Sequence, residues 1–239
     1  MSVIVLTGTG TGVGKTVVTA AIATLALARR RSVAVLKPAQ TGLPPGEPGD
    51  VDDVGRLAGD DVTTWELARF GEPLAPGTAA RRAGILPVTP SQAAAAAVEL
   101  SRGHDDVLVE GAGGLLVPMD DNGGTLADVA WSIGAPVLIV AAAGLGTLNA
   151  TALTAEVLRR RGIECAGVVV GSWPAEPDLA ARCNLDDLPL VADAPLVGAL
   201  PEQAGSLGRD GFRTVARASL GPSLGGEFDA NGFAAAHVA

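Results

Sequence analysis

The apolar positions of this chain fall into short runs separated by polar and glycine-rich breaks. Val3 to Leu6 is a β-rich run that stops at a glycine loop. Ser32 to Leu36, Val107-Leu108-Val109, Pro136 to Ala142, Cys165 to Val170 and Pro195 to Leu200 repeat the pattern. They are largely apolar at successive positions, as strands buried on both faces must be. Longer helical stretches lie between them. Lys15 to Arg30 is rich in Ala and Leu with no Pro or Gly, and Pro90 to Ser101 and Thr125 to Ile133 follow. Thr147 to Arg161 carries Leu148, Thr151, Ala155 and Leu158 on one face. Asp50 to Ala58 reads as a shorter helix entered from Pro48-Gly49, with Asp50 as N-cap and Asp53 three residues on. Strands alternating with helices predict an α/β fold, with a mostly parallel central sheet and helices on both faces.

No internal repeat is visible, and Pro44 to Gly49 reads as a mobile loop. Beyond about Leu220 the chain is Gly- and Ala-rich and poorly patterned. The expectation is a single domain over residues 1–220 and a loosely held tail over residues 221–239.

A chain of 239 residues suits one α/β domain, or at most two small ones. Its net charge of −9 argues against a nucleic-acid partner, which requires a basic face. No apolar run reaches the ~18 residues that a membrane span needs. The start, Met1-Ser2-Val3-Ile4-Val5-Leu6, lacks the basic region of a secretory signal, so a cytoplasmic protein is expected. Cys165 and Cys183 provide no disulfide framework and no Cys-rich metal site. His104 and His237 give a histidine triad or a multi-histidine metal site little to build on. Of 17 cationic residues 15 are Arg, and the two lysines are Lys15 and Lys37. The Arg bias accompanies an Ala and Gly bias, so the scarcity of Lys by itself needs no functional cause. Both lysines nevertheless stand where a pointed ammonium suits the chemistry better than a planar guanidinium.

The run Gly8-Thr9-Gly10-Thr11-Gly12-Val13-Gly14-Lys15-Thr16 lies between a strand and a helix. Backbone amides there, with the positive end of the helix, can wrap a polyphosphate. Lys15 would reach the β- and γ-phosphates and the Thr16 hydroxyl would ligate Mg²⁺. The spacing, Gly8-x5-Gly14-Lys15-Thr16, is one residue longer than the usual phosphate loop, and Thr9 holds the usual first-Gly position. Val13 breaks the dinucleotide fingerprint and disfavours hydride transfer. Lys37-Pro38-Ala39-Gln40-Thr41-Gly42 closes the second strand, at the rim where Lys15 also points. Two ammoniums at one phosphate suit a reaction that spreads negative charge over a phosphoryl group. Glu110, ahead of Gly111-Ala112-Gly113-Gly114, is placed at the same rim as a metal carboxylate. Asp50 is the second carboxylate candidate, with Asp52 and Asp53 as rivals.

Four segments together resemble the dethiobiotin synthetase family, within a P-loop NTPase-like fold. They are the phosphate loop, Lys37 to Gly42, Val109 to Gly114 and Gly144-Leu145-Gly146-Thr147-Leu148-Asn149, in the right order and spacing from Ser2 to about Pro201. The resemblance implies an enzyme that converts 7,8-diaminononanoate, carbon dioxide and MgATP to dethiobiotin, ADP and phosphate. It implies Lys15 and Lys37 as catalytic cations and Thr16, Asp50 and Glu110 as Mg²⁺ ligands. Asp50 is preferred over its rivals because Asp50 to Arg56 resembles the family's Asp-x-x-x-apolar-x-basic pattern. It also implies Gly12, Val13, Gly14 and Val17, with Gly111, Ala112 and Gly113, as nucleotide-binding residues. The base would meet Gly171, Ser172, Ala199, Leu200 and Pro201, with Glu202 as a further candidate. Thr41, with Thr11 as a further candidate, would orient the diamine, and Phe70 to Pro76 resembles a segment bordering the substrate. The family is a homodimer, and Gly146, Thr147, Leu148 and Asn149 are suited to receive the substrate's carboxylate across the subunit interface.

Three features depart from the family, one being that the residues after about Gly205 match it only weakly. Ala150 stands where it usually has His, and Gly171-Ser172 lacks the Asn side chain that many members present to adenine. A dimeric switch ATPase is the competing class, but its hallmark Lys two residues before the loop's central Gly is Gly10 here. A glutamine-dependent amidase is the third class, and Cys183 has no His partner for its second domain.

Overall fold

The computed structural model describes residues 2–237. In chain order the strands are β1 (Ser2–Gly8), β2 (Val33–Lys37), β3 (Gln40–Thr41), β4 (Thr63–Glu66), β5 (Arg69–Phe70), β6 (Asp106–Gly114), β7 (Val137–Ala141), β8 (Cys165–Trp173) and β9 (Leu196–Pro201). The helices are α1 (Lys15–Ala28), α2 (Asp50–Ala58), α3 (Pro76–Ala83), α4 (Pro90–Ser101), α5 (Leu126–Ile133), α6 (Thr147–Arg160), α7 (Leu179–Ala192), α8 (Arg209–Ser219) and α9 (Ala230–His237).

Seven strands form one sheet in the order β4-β2-β6-β1-β7-β8-β9, with every neighbouring pair parallel. The short β3 and β5 pair separately. Along β1, Val5 packs into the core layer shared with α4 to α7, and the next residue, Leu6, into the layer shared with α1, α2 and α8. That alternation is why the strand is apolar at successive positions: each face is covered. Because β1 sits between β6 and β7, sequence-distant strands open a crevice at its carboxyl end, the usual place for a ligand in such sheets. The chain fills that crevice with the Gly8 to Gly14 loop, then enters α1.

The structure corrects several boundaries. Gly49, not Asp50, caps α2, and the Asp52 carboxylate accepts the Gly49 N–H at 2.6 Å. Asp50 is therefore the first helical residue, with its side chain free to turn toward β2. Strand β6 does not stop at Glu110-Gly111; its pairing with β1 resumes at Gly8 and Gly114 after a register shift. Strand β8 likewise runs on to Trp173. Helices α3, α7, α8 and α9 were not anticipated from the sequence.

Of the expected loose tail, residues 221–237 are described and packed, and 238–239 lie outside the described residues. Phe228 is buried in the core, and the Phe233 ring of α9 lies edge-on to Trp173 with centroids 5.3 Å apart. Three aromatic rings clustered on one strand end supply the apolar contact that the low overall patterning concealed. The Pro44 to Gly49 loop is tied down as well, since the Arg69 guanidinium donates to the Glu47 carbonyl.

Candidate active site

The phosphate loop is shaped by close backbone approach. Gly14 has φ of 93°, and a Cβ there would run into the Gly171 carbonyl. An L side chain would be strained at that φ and blocked by β8 as well. Gly171 in turn lies against the Val13 carbonyl, so the end of β8 buttresses the loop directly. The Lys15 ammonium folds back and donates to the Gly10 carbonyl at 3.0 Å.

Strand order explains the rest of the constellation. Strand β6 lies between β2 and β1, so Glu110 meets Lys37 from one side and the first turn of α1 from the other. Lys37 is 3% exposed and Glu110 1% exposed. The Lys37 ammonium donates to Glu110 Oε1 at 2.9 Å and to the Gly111 carbonyl at 3.2 Å, and pairs with Asp50. Glu110 Oε1 also accepts the Thr16 hydroxyl at 2.9 Å, and Oε2 accepts the Thr19 hydroxyl at 2.6 Å. Burial alone would lower the Lys37 pKa, but Glu110 and Asp50 outweigh it and raise it. Lys15 goes the other way: burial lowers its pKa, the Lys37 charge lowers it further, and Glu110 and Asp50 only partly offset this. The two lysines, though neighbours, are set apart by which of them holds the carboxylates.

These groups open on one cavity of about 700 Å³, a size typical of small-molecule sites. Gly12, Gly14, Lys15, Thr16 and Val17 line it from the loop and the start of α1, Lys37, Glu110, Ala112 and Gly113 from the sheet, and Asp50 from the start of α2. Thr11, Thr41 and the segment Pro73 to Pro76 close the opposite wall. The rival acids are spoken for, since Asp52 caps α2 and Asp53 pairs with Arg56. Gly111 contributes its carbonyl to Lys37 but does not line the cavity.

Other candidates stand elsewhere. Gly146, Thr147, Leu148 and Asn149 sit where α6 begins, outside this cavity's lining. Thr147 is buried and its hydroxyl has no hydrogen-bond partner. Ser172, Pro201 and Glu202 are exposed at the rim, and Glu202 Oε1 accepts the Ala175 N–H at 3.0 Å. Ala199 and Leu200 are buried in the core, so only their backbone can face a ligand.

Two residues given no role by the sequence reading belong to the site. Thr19 holds Glu110 from below, and its signal was available: it is a Thr one helical turn past Thr16 within an Ala- and Val-rich run. Gln40 accepts the Asp50 N–H at 2.9 Å and so seats the first turn of α2.

Among the described residues no group of three or more His, Cys, Asp and Glu gathers as a self-contained metal site. The donors that do converge are two carboxylates and one hydroxyl. That hard-oxygen set fits a magnesium ion that draws its remaining ligands from water and phosphate.

The AAA domain family model matches residues 2–207. The chain is 65% identical to the ATP-dependent dethiobiotin synthetase BioD of Streptomyces avermitilis, over 100% of both chains. It is 68% identical to that of Saccharopolyspora erythraea, over 95% of this chain and 99% of the relative. Among solved structures it resembles a ParA family ATPase from Chlorobium tepidum TLS (14% identity, TM-score 0.58, covering 94% of this chain and 97% of that one). The MinD cell division protein of Aquifex aeolicus matches at 16% identity with a TM-score of 0.56, over 90% of this chain and 86% of that one. At that identity the likeness establishes the P-loop NTPase fold and nothing finer.

Proposed function

The chain belongs to the ATP-dependent dethiobiotin synthetases, ligases of biotin biosynthesis, and we propose how its site carries the reaction. The substrates are 7,8-diaminononanoate, carbon dioxide and ATP. One amine captures carbon dioxide as a carbamate, whose oxygen attacks the γ-phosphorus and displaces ADP. The second amine then attacks the carbonyl of the mixed carbamic-phosphoric anhydride, closing the cyclic urea and expelling phosphate.

One observation carries this reading: both lysines of the chain lie at a single cavity with Thr16, Asp50 and Glu110. An anionic carbamate approaching an anionic phosphate must be screened, and preorganised ammoniums do so without reorganisation at the moment of reaction. Lys15 serves the β- and γ-phosphates and Lys37 the transferring group. Thr16, Asp50 and Glu110 would hold Mg²⁺, which supplies further screening of the phosphates when bound. Thr41 and Thr11 orient the diamine against the wall of Pro73 to Pro76, whose apolar surface suits an alkyl chain.

The base would lie along Gly171, Ser172 and the Ala199 to Pro201 strand end, read mainly by backbone, since Ala199 and Leu200 are buried. The amides at the start of α6, in Gly146 to Asn149, would serve the carboxylate of a substrate bound to a second copy in a homodimer. On this reading residues 1–220 form one domain and the enzyme works in the cytoplasm. No helix of the described residues is long and apolar enough to cross a membrane.

The decisive measurement is phosphate release from MgATP with bicarbonate, with and without 7,8-diaminononanoate. Diamine-dependent release with equal dethiobiotin is the expected result. Release independent of the diamine would overturn the reading in favour of a switch ATPase.

A further inference from the structure

We propose that Lys37 is an internal competitor for the metal-binding oxygens, so that the divalent ion enters with the nucleotide and not ahead of it. The inference rests on the reading above, in which Thr16, Asp50 and Glu110 serve a metal–nucleotide complex. An ammonium has three donors, and those of Lys37 are all committed: to Asp50, to Glu110 Oε1 and to the Gly111 carbonyl. Glu110 Oε1 also accepts the Thr16 hydroxyl. Every proposed metal donor is therefore tied to the Lys37 ammonium, directly or through one shared oxygen.

Charge and geometry together make this a swap. Lys15, Lys37, Asp50 and Glu110 sum to zero, so a bare divalent ion would add two uncompensated positive charges beside two ammoniums. A metal–nucleotide complex brings its own negative charge. For Lys37 to meet a phosphoryl oxygen it must release one partner. The Asp50 side chain is 30% exposed against 2% for Glu110, so Asp50 is the partner to leave. Once released, the Asp50 carboxylate is free for the metal as the ammonium turns to phosphate. Lys15 faces no such exchange, because it holds only the Gly10 carbonyl.

The test is nucleotide-free Mn²⁺ binding, read by the electron paramagnetic resonance of the free ion. Lys37→Met is expected to bind Mn²⁺ about tenfold more tightly than the wild type, because a nearby competing cation is gone. Adding Asp50→Asn to that variant should abolish the gain. A folded Lys37→Met protein that binds Mn²⁺ no more tightly than the wild type overturns the proposal.

The wild type supplies a second arm that does not depend on the variant's folding. The chain has two lysines, so ¹⁵N-lysine labelling gives at most two side-chain ammonium signals, assigned with Lys15→Arg. Millimolar Mg²⁺ alone should leave the Lys37 signal in place, and the magnesium complex of a non-hydrolysable ATP analogue should move it. Binding of that complex by calorimetry with an unmoved Lys37 signal overturns the swap while leaving the site reading intact. No binding of the complex at all overturns both.

Discussion

Replacing Thr19 by Val tests whether Glu110 is held in place for the reaction or merely happens to point there. The substitution conserves shape and removes one hydroxyl. Thr19 is 0% exposed, and its single proton has two acceptors in reach, Glu110 Oε2 at 2.6 Å and the Lys15 carbonyl at 3.0 Å. The shorter, charge-assisted contact takes it. In Thr19→Val the Oε2 atom loses this donor in a place water does not reach, which costs about 2 kcal/mol. For a chain of this length that is a fall in Tm of about 4–8 °C. Glu110 also becomes free to rotate about Oε1, and the loss of a partner behind a metal ligand weakens metal affinity by about tenfold. The assay is therefore a thermal melt paired with turnover as a function of Mg²⁺ concentration. Thr19→Ser, which keeps the donor, should restore most of the Mg²⁺ response. A Tm within about 1 °C of wild type, together with superimposable Mg²⁺ curves, would refute the argument and leave Thr19 as a hydroxyl that only back-bonds its own helix.

Three other outcomes follow from the same geometry. Lys37→Ala should lower diamine-dependent phosphate release by roughly 10²–10³-fold, as loss of one preorganised charge donor does; unchanged turnover would remove Lys37 from the chemical step. Glu110→Gln should raise the Mg²⁺ concentration needed for half-maximal rate, and identical titrations would count against a metal role. The Lys15 pKa lies below the ordinary 10.5 because of burial and the Lys37 charge, so the rate should fall on the alkaline side before 10.5. Between the folded pKa and 10.5 the unfolded chain binds the extra proton, so the Lys15 contribution to stability rises with pH even as activity falls. A pH–rate profile and denaturant midpoints across the same range check both halves, and a rate that holds up to pH 10.5 with midpoints that do not rise would refute them.

What could be read from the sequence was whatever repeats locally. Buried parallel strands betray themselves by apolar runs, and Gly14-Lys15-Thr16 by its fixed distance from the end of β1, so the sheet, the loop and both lysines were accessible without coordinates. Glu110 was legible because it directly follows an apolar run and precedes glycines, and Asp50 because it begins a helix. The N-cap of α2 was misread because Asp50 and Gly49 are both good caps, and only the Asp52 carboxylate reaching back to Gly49 decides between them. Helix α7 was missed because Pro189 lies within it, whereas α8 carries a readable period, with Phe212, Ala216 and Ser219 buried on one face. The tail was missed because its anchor is long-range: Phe233 meets Trp173, sixty residues earlier in the chain, and nothing local encodes that contact. Thr19 has the same character, since a Thr in an Ala-rich helix is unremarkable until β6 places a carboxylate beside it.

The likeness to ParA and MinD shows what the fold does and does not specify. The fold supplies a crevice, a glycine loop and the start of α1 at the end of β1, an arrangement suited to a phosphate. It does not specify what attacks that phosphate. That is set by side chains which the strand order brings together without dictating their identity: Lys37 at the end of β2, Glu110 within the intervening β6, and Asp50 at the start of α2. A cation buried between two carboxylates contributes little net stability once desolvation is subtracted, so stability alone does not account for Lys37. On the proposed reaction its position serves a second anion brought to the phosphate, and the same sheet can then serve a synthetase through the residues on one rim.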